Sequence, residues 1–228
     1  KTMSICDTDW DPLWNTHNYH TAEFLIQNGA DTKILFSNEW RYYIDRFDAS
    51  KKIKLLRSHV KEGYPGLVKV MIDAGADVKA VTKKKTSMLH FAAREGHADV
   101  AKVLLKNGAD INALDKDRGS ALMVAAQNGY ADLVKVLLQN GADINIMNIY
   151  GRNALHLGAS ISGHADVAKV LLQNGADVNT VDAEGRNALH IASKFGYADF
   201  AKVLLLNNID VNAIECIDNF TALLFSVL

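Results

Sequence analysis

The sequence predicts an all-α repeat solenoid of short helix pairs, and two phrases recurring on one beat are what predict it. Gly29-Ala30-Asp31 returns as Gly75-Ala76-Asp77, Gly108-Ala109-Asp110, Gly141-Ala142-Asp143, Gly175-Ala176-Asp177 and the decayed Asn208-Ile209-Asp210, in steps of 46, 33, 33, 34 and 33 residues. A second phrase stands twelve residues before it each time, as Gly63-Tyr64, Gly96-His97, Gly129-Tyr130, Gly163-His164 and Gly196-Tyr197. A fixed period of this length marks units that cannot bury an apolar face alone and do so by stacking.

Each unit spells two helices. Ser87 is an N-cap, Leu89, Ala92 and Ala93 form an apolar stripe, and Gly96 ends the first helix. The alanines keep that helix thin. Val100, Val103 and Leu104 recur at i, i+3 and i+4 in the second helix and supply the bulk of the core. Asp99 in its first turn and Gly108 beyond its end suit its dipole and its terminus. Ser120, Asn153, Asn187 and Thr221 are the equivalent N-caps, and Asp132, Asp166 and Asp199 the equivalent first-turn acids.

A helix start of the Thr-Pro-Leu-His type on this period resembles the ankyrin repeat. Ser87-Met88-Leu89-His90, Asn153-Ala154-Leu155-His156 and Asn187-Ala188-Leu189-His190 carry the resemblance. Gly-Ala-Asp-Ile/Val-Asn, ending at Asn112, Asn145, Asn179 and Asn212, carries the approach to a hairpin. The resemblance implies helix pairs stacked side by side, with β-hairpin fingers projecting at right angles. On this reading 82–114, 115–147, 148–181 and 182–215 are clear repeats, and 50–81 is a degenerate one that keeps its second helix better than its first. Residues 1–49 are a degenerate N-terminal repeat or cap, with Asp11-Pro12-Leu13-Trp14 at its start and an aromatic insertion of Phe36, Trp40, Tyr42, Tyr43 and Phe47. Residues 216–228 are a truncated repeat or C-cap in which Leu223, Leu224 and Phe225 lack a partner helix. One extra residue between Gly158 and Gly163 predicts a bulged or lengthened turn.

The composition is 49% apolar and 22% charged over 228 residues, with a net charge of −1, so no global field draws the chain to nucleic acid or anionic lipid. No apolar run reaches the roughly 20 residues of a membrane span. Cys6 and Cys216 lie near opposite ends, which argues against a disulfide framework and predicts a reducing, cytoplasmic setting, or a host cytosol if the chain is a bacterial effector. The sequon at Asn219 then reads as chance.

No residue set reads as a catalytic centre. His90, His156 and His190 hold the helix-start position, and His97 and His164 open second helices. The resemblance implies that they tie repeats together through neighbouring backbone. His17, His20 and His59 remain, without a nearby cysteine to complete a zinc site. Gly158 to Gly163 has the glycine spacing of a phosphate loop, but His164-Ala165 stands where Lys and Ser/Thr would be needed. Asn112, Asn145, Asn179 and Asn212 resemble ankyrin asparagines that a 2-oxoglutarate oxygenase hydroxylates, although a hairpin role already explains them. No cofactor or metal is expected.

The repeats disagree with one another in an orderly way, at positions that packing leaves free to vary. On the fingers these are Lys83, Lys84, Lys116, Asp117, Ile149, Tyr150, Arg152, Glu184, Arg186, Ile217 and Phe220. At first-helix ends they include Arg94, Gln127, Lys194 and Phe195. The resemblance implies that they line one concave groove, charged at its start and apolar toward Ile149, Tyr150, Phe195 and Phe220. The expected activity is that of a scaffold binding another protein, monomeric by itself and not an enzyme. The alternative is the targeting arm of a larger enzyme or secreted bacterial effector.

Overall fold

The computed structural model describes Asn28 and residues 47–161, 163–216 and 220–225. The first repeat at Asp11, the insertion from Phe36 to Tyr43, Cys6, His17, His20, Ile217 and Asn219 of the sequon lie outside these residues. The helices are α1 (Ala49–Glu62), α2 (Pro65–Asp73), α3 (Met88–Glu95), α4 (Ala98–Lys106), α5 (Ala121–Gln127), α6 (Ala131–Gln139), α7 (Ala154–Gly158), α8 (Ala165–Gln173), α9 (Ala188–Lys194), α10 (Ala198–Leu206) and α11 (Ala222–Phe225). Each odd-numbered helix from α1 to α9 packs against the even-numbered helix that follows it. The odd helices stack into one row and the even helices into a second, and a continuous apolar core runs between them.

The caps account for the lengths. Ser120 accepts the Met123 N–H at 3.3 Å, while Asn153 and Asn187 accept the N–H groups two and three residues ahead. Gly96 closes α3 in the left-handed region at φ 81°. In each of α4, α6, α8 and α10 an aspartate occupies the first turn, where it favours the positive end of the helix dipole. In 50–81 the first helix, α1, spans 14 residues, with Asp48 capping it at Lys51 N–H and Leu56 and Val60 completely buried.

Two devices join neighbouring repeats, the second of them in three repeats only. A ring opening the second helix lies on the glycine of the preceding repeat, and a β-carbon at Gly63, Gly96, Gly129 or Gly163 would fall 2.3–2.6 Å from His97, Tyr130, His164 or Tyr197. No side chain fits there, which explains the period of the second phrase. The other device is the histidine of the helix start. Nε2–H of His90, His156 and His190 donates to the carbonyl of Gly119, Arg186 and Phe220 at 2.9, 3.1 and 3.2 Å. Burial, the largest influence, holds the pKa of all three below the ordinary value, so the rings work as neutral donors.

The fingers are slighter than the resemblance implies. Among the described residues they are tight turns with two isolated bridges, Val81 to Ser87 and Ile214 to Thr221. A single acceptor organises each: Thr82 Oγ1, Asp115 Oδ1, Asn148 Oδ1 and Asp182 Oδ1 take the N–H groups two and four residues ahead. One backbone bond then links each tip to the next, from Lys116 to Lys84, Ile149 to Asp117, Ala183 to Tyr150 and Cys216 to Glu184, at 2.9–3.0 Å. The asparagines at the finger approach also reach across, since Asn112 and Asn179 accept the N–H of Asp143 and Asp210 in the following repeat.

Candidate binding groove

The extra residue in the repeat containing α7 has a structural consequence. Helix α7 stops at Gly158 after five residues, whereas α5 and α9 run for seven. The chain leaves through Ala159, Ser160 and Ile161, and His164 N–H closes the loop on Gly158 O at 3.3 Å. The contact between α7 and α9 is the thinnest in the odd row. Beside the shortened α7 lies a depression of about 310 Å³ between the end of α5 and the end of α9. Gln127, Arg152, Ser160, Ile161, Lys194 and Phe195 line most of it, with Arg186, His190 and Ile191. A second depression, of about 320 Å³, adjoins it through Gln127 and Arg152 and is walled by Asp115, Asp117, Asn148 and Tyr150.

Large aromatic side chains stand at both. Tyr150 is 59% exposed and Phe195 52% exposed, the latter stacked on Tyr197 with ring centroids 5.8 Å apart. Ile161 is 53% exposed on the lengthened turn, where Tyr197 Oη donates to its carbonyl.

Beneath these residues lies a set of ion pairs. Asp182 has a side chain only 1% exposed and takes five donors: the backbone N–H of Glu184 and Arg186 on Oδ1, and on Oδ2 Arg152 Nε at 3.0 Å and Arg186 Nε and Nη2 at 3.2 and 2.9 Å. Burial works against its ionisation, yet the arginine and backbone donors outweigh burial and hold its carboxyl below the ordinary value. Glu184 closes the set, 2.5 Å from Arg186 Nη2 and 3.9 Å from Arg152 Nη2.

Of the residues selected from sequence, the depressions bring together Asp117, Gln127, Tyr150, Arg152, Arg186, Lys194 and Phe195. Lys83, Lys84 and Lys116 are exposed on the first two finger tips, and Arg94 is exposed in the last turn of α3. Ile149 is 52% exposed on the third finger. Phe220 is half-buried at the base of the last, its carbonyl taken by Glu215 N–H and His190. Arg186 proves more committed to the fold than its position suggested, with a side chain 13% exposed. Ser160 and Ile161 were missed, although the 34-residue step marked the turn that carries them. Asp182 was also missed: it repeats Asp115 in its turn, and only the approach of two arginines sets it apart.

The described residues hold no group of three or more His, Cys, Asp or Glu arranged for a metal ion, and no helix among them is long and apolar enough to cross a membrane. His59, weighed above as a ligand, is buried in α1 with its ring 6.5 Å from that of Tyr64.

Helix pairs stacked in two rows and joined by finger turns define a repeat solenoid. The model for ankyrin repeats in three copies matches residues 56–148 and 122–215, and the chain belongs to the ankyrin-repeat family. Ankyrin repeats are general protein–protein interaction modules and typically non-catalytic. A search of curated proteins returns no match.

Proposed function

We propose that this chain is a non-catalytic scaffold that holds a segment of a partner protein in the groove between its fingers and its odd-numbered helices. The observation that carries the reading is the pair of half-exposed aromatic side chains, Tyr150 and Phe195, at two adjoining depressions. Aromatic residues with neighbouring arginines are enriched where single truncations cost about 2 kcal/mol or more of binding. Arg152 is suited to such a role, since it lines both depressions and its Nη1 has no partner among the described residues. Lys83, Lys84, Arg94, Lys116, Ile149 and Phe220 extend the contact surface along the fingers and the end of α3. The exposed free thiol of Cys216 suits a reducing cytoplasm.

The test is affinity capture from cell lysate with the wild type and a Tyr150→Ala/Phe195→Ala variant, once both are shown to melt cooperatively. Selective loss of a captured protein in the variant supports the groove. Capture of the same proteins by both moves binding to another surface.

A further inference from the structure

The two depressions differ in what their charges are free to do. Asp115 and Asp117 line one, but Asp115 Oδ1 already accepts two backbone N–H groups and Asp117 pairs with Lys116 at 3.1 Å. The other, beside the shortened α7, is lined by Arg152, Arg186 and Lys194 and by no carboxylate. Asp182 and Glu184 balance the two arginines from beneath and from the finger side. The Lys194 side chain makes no ion pair or hydrogen bond among the described residues and stays exposed in the last turn of α9. His190 adds no charge, because burial holds its pKa down and its Nε2 is spent on Phe220 O. The depression therefore carries a net positive charge with open guanidinium donors, beside the apolar surfaces of Phe195 and Ile161.

We infer that this depression receives an acidic residue of the partner segment, an aspartate or glutamate, with a large apolar residue beside it in the peptide. The carboxylate meets Lys194 and the free Nη donors of Arg152, where charge-assisted and forked hydrogen bonds are the strong ones. The apolar neighbour covers Phe195 and Ile161. Like charge bars a basic residue from the same place, so the depression selects partners as well as holding them. This inference rests on the groove reading and adds the chemistry of the occupant.

The test uses a random short-peptide library displayed on phage and selected against the whole chain, followed by titration of synthetic copies of the enriched peptides. Asp or Glu next to Leu, Phe or Trp should enrich. Lys194→Glu should weaken those peptides about tenfold or more, and replacing the peptide's acid with lysine should restore binding to that variant alone. Enriched peptides that need Phe195 but carry no acid, or that ignore Lys194→Glu, overturn the inference and leave the groove reading intact. Peptides indifferent to Tyr150→Ala and Phe195→Ala overturn both. A library yielding no binder overturns the inference, while lysate capture still decides the groove.

Discussion

Gly158 and Phe200 are fitted to each other across neighbouring repeats: a β-carbon on Gly158 would stand 3.6 Å from Phe200 Cε2 and 3.3 Å from Val167 Cγ1. The other repeats hold Ala92, Ala125 and Ala192 where this one holds Gly158, and Val100, Leu133 and Val167 where the next holds Phe200. The larger ring, fully buried, takes the volume that the smaller residue gives up. A glycine inside a helix costs about 1 kcal/mol relative to alanine, and this one lies in the helix that ends early.

Phe200→Leu should destabilise the chain by about 1–2 kcal/mol, through volume lost at a site that cannot collapse fully. Gly158→Ala should be close to neutral in the wild type, where helix propensity and crowding oppose each other. In the Phe200→Leu background it should recover about 1 kcal/mol. Urea denaturation of the four proteins gives the coupling, and strict additivity would show that the pair is not fitted.

Gly151 and Gly108 both have positive φ, 70° and 88°, but differ in surroundings. A β-carbon at Gly151 would meet Ala183 N at 2.7 Å, where the tips of two fingers are joined by backbone, whereas nothing lies within 4 Å of one at Gly108. Gly108→Ala should cost about 1–2 kcal/mol of left-handed strain. Gly151→Ala should cost at least about 1 kcal/mol more, because backbone rather than a mobile side chain must move. Melting temperatures of the two variants compare them directly, and equal losses would refute the argument.

Stability should rise with pH between about 4 and 6.5. Burial lowers His59 from 6.5 to about 4 in the folded chain, so across that window the unfolded chain binds more protons and acid favours unfolding. The full shift corresponds to about 3 kcal/mol, absent above the unfolded pKa and complete below the folded one. His90, His156 and His190 are lowered too and add in the same direction. Asp182, with its folded pKa depressed, contributes stability above its unfolded value that is lost as pH falls through the folded one. Chemical denaturation across this range should show His59→Gln flattening the slope.

Asp182→Asn should destabilise by about 2–4 kcal/mol, since it leaves two arginines facing each other over a neutral amide. The finger turn itself should survive, because asparagine keeps an Oδ1 acceptor for the N–H groups of Glu184 and Arg186, as Asn148 does one repeat earlier. Asp182→Ala should lose both. A Asp182→Asn variant as stable as the wild type would show that the ion set contributes nothing.

The sequence by itself determined the solenoid, its period, its helix caps and the exposed positions of Tyr150 and Phe195. Those features are local: a cap reaches three residues ahead, an apolar stripe repeats within two turns, and every repeat states them again. The sequence also marked the 34-residue step, but only as an irregular turn. What the tertiary structure decided is what that turn does to its neighbours. A depression between α5 and α9 lies beside the early end of α7, Phe200 fills the space above Gly158, and Arg152 and Arg186 converge on Asp182 from successive fingers. Apart from the local pairing of Arg186 with Asp182, each joins residues about 30 or more positions apart, in side chains whose meeting depends on how one repeat sits on the next. A period read along the chain fixes that each repeat has a neighbour, while the contacts between unlike side chains are set only by the packed geometry.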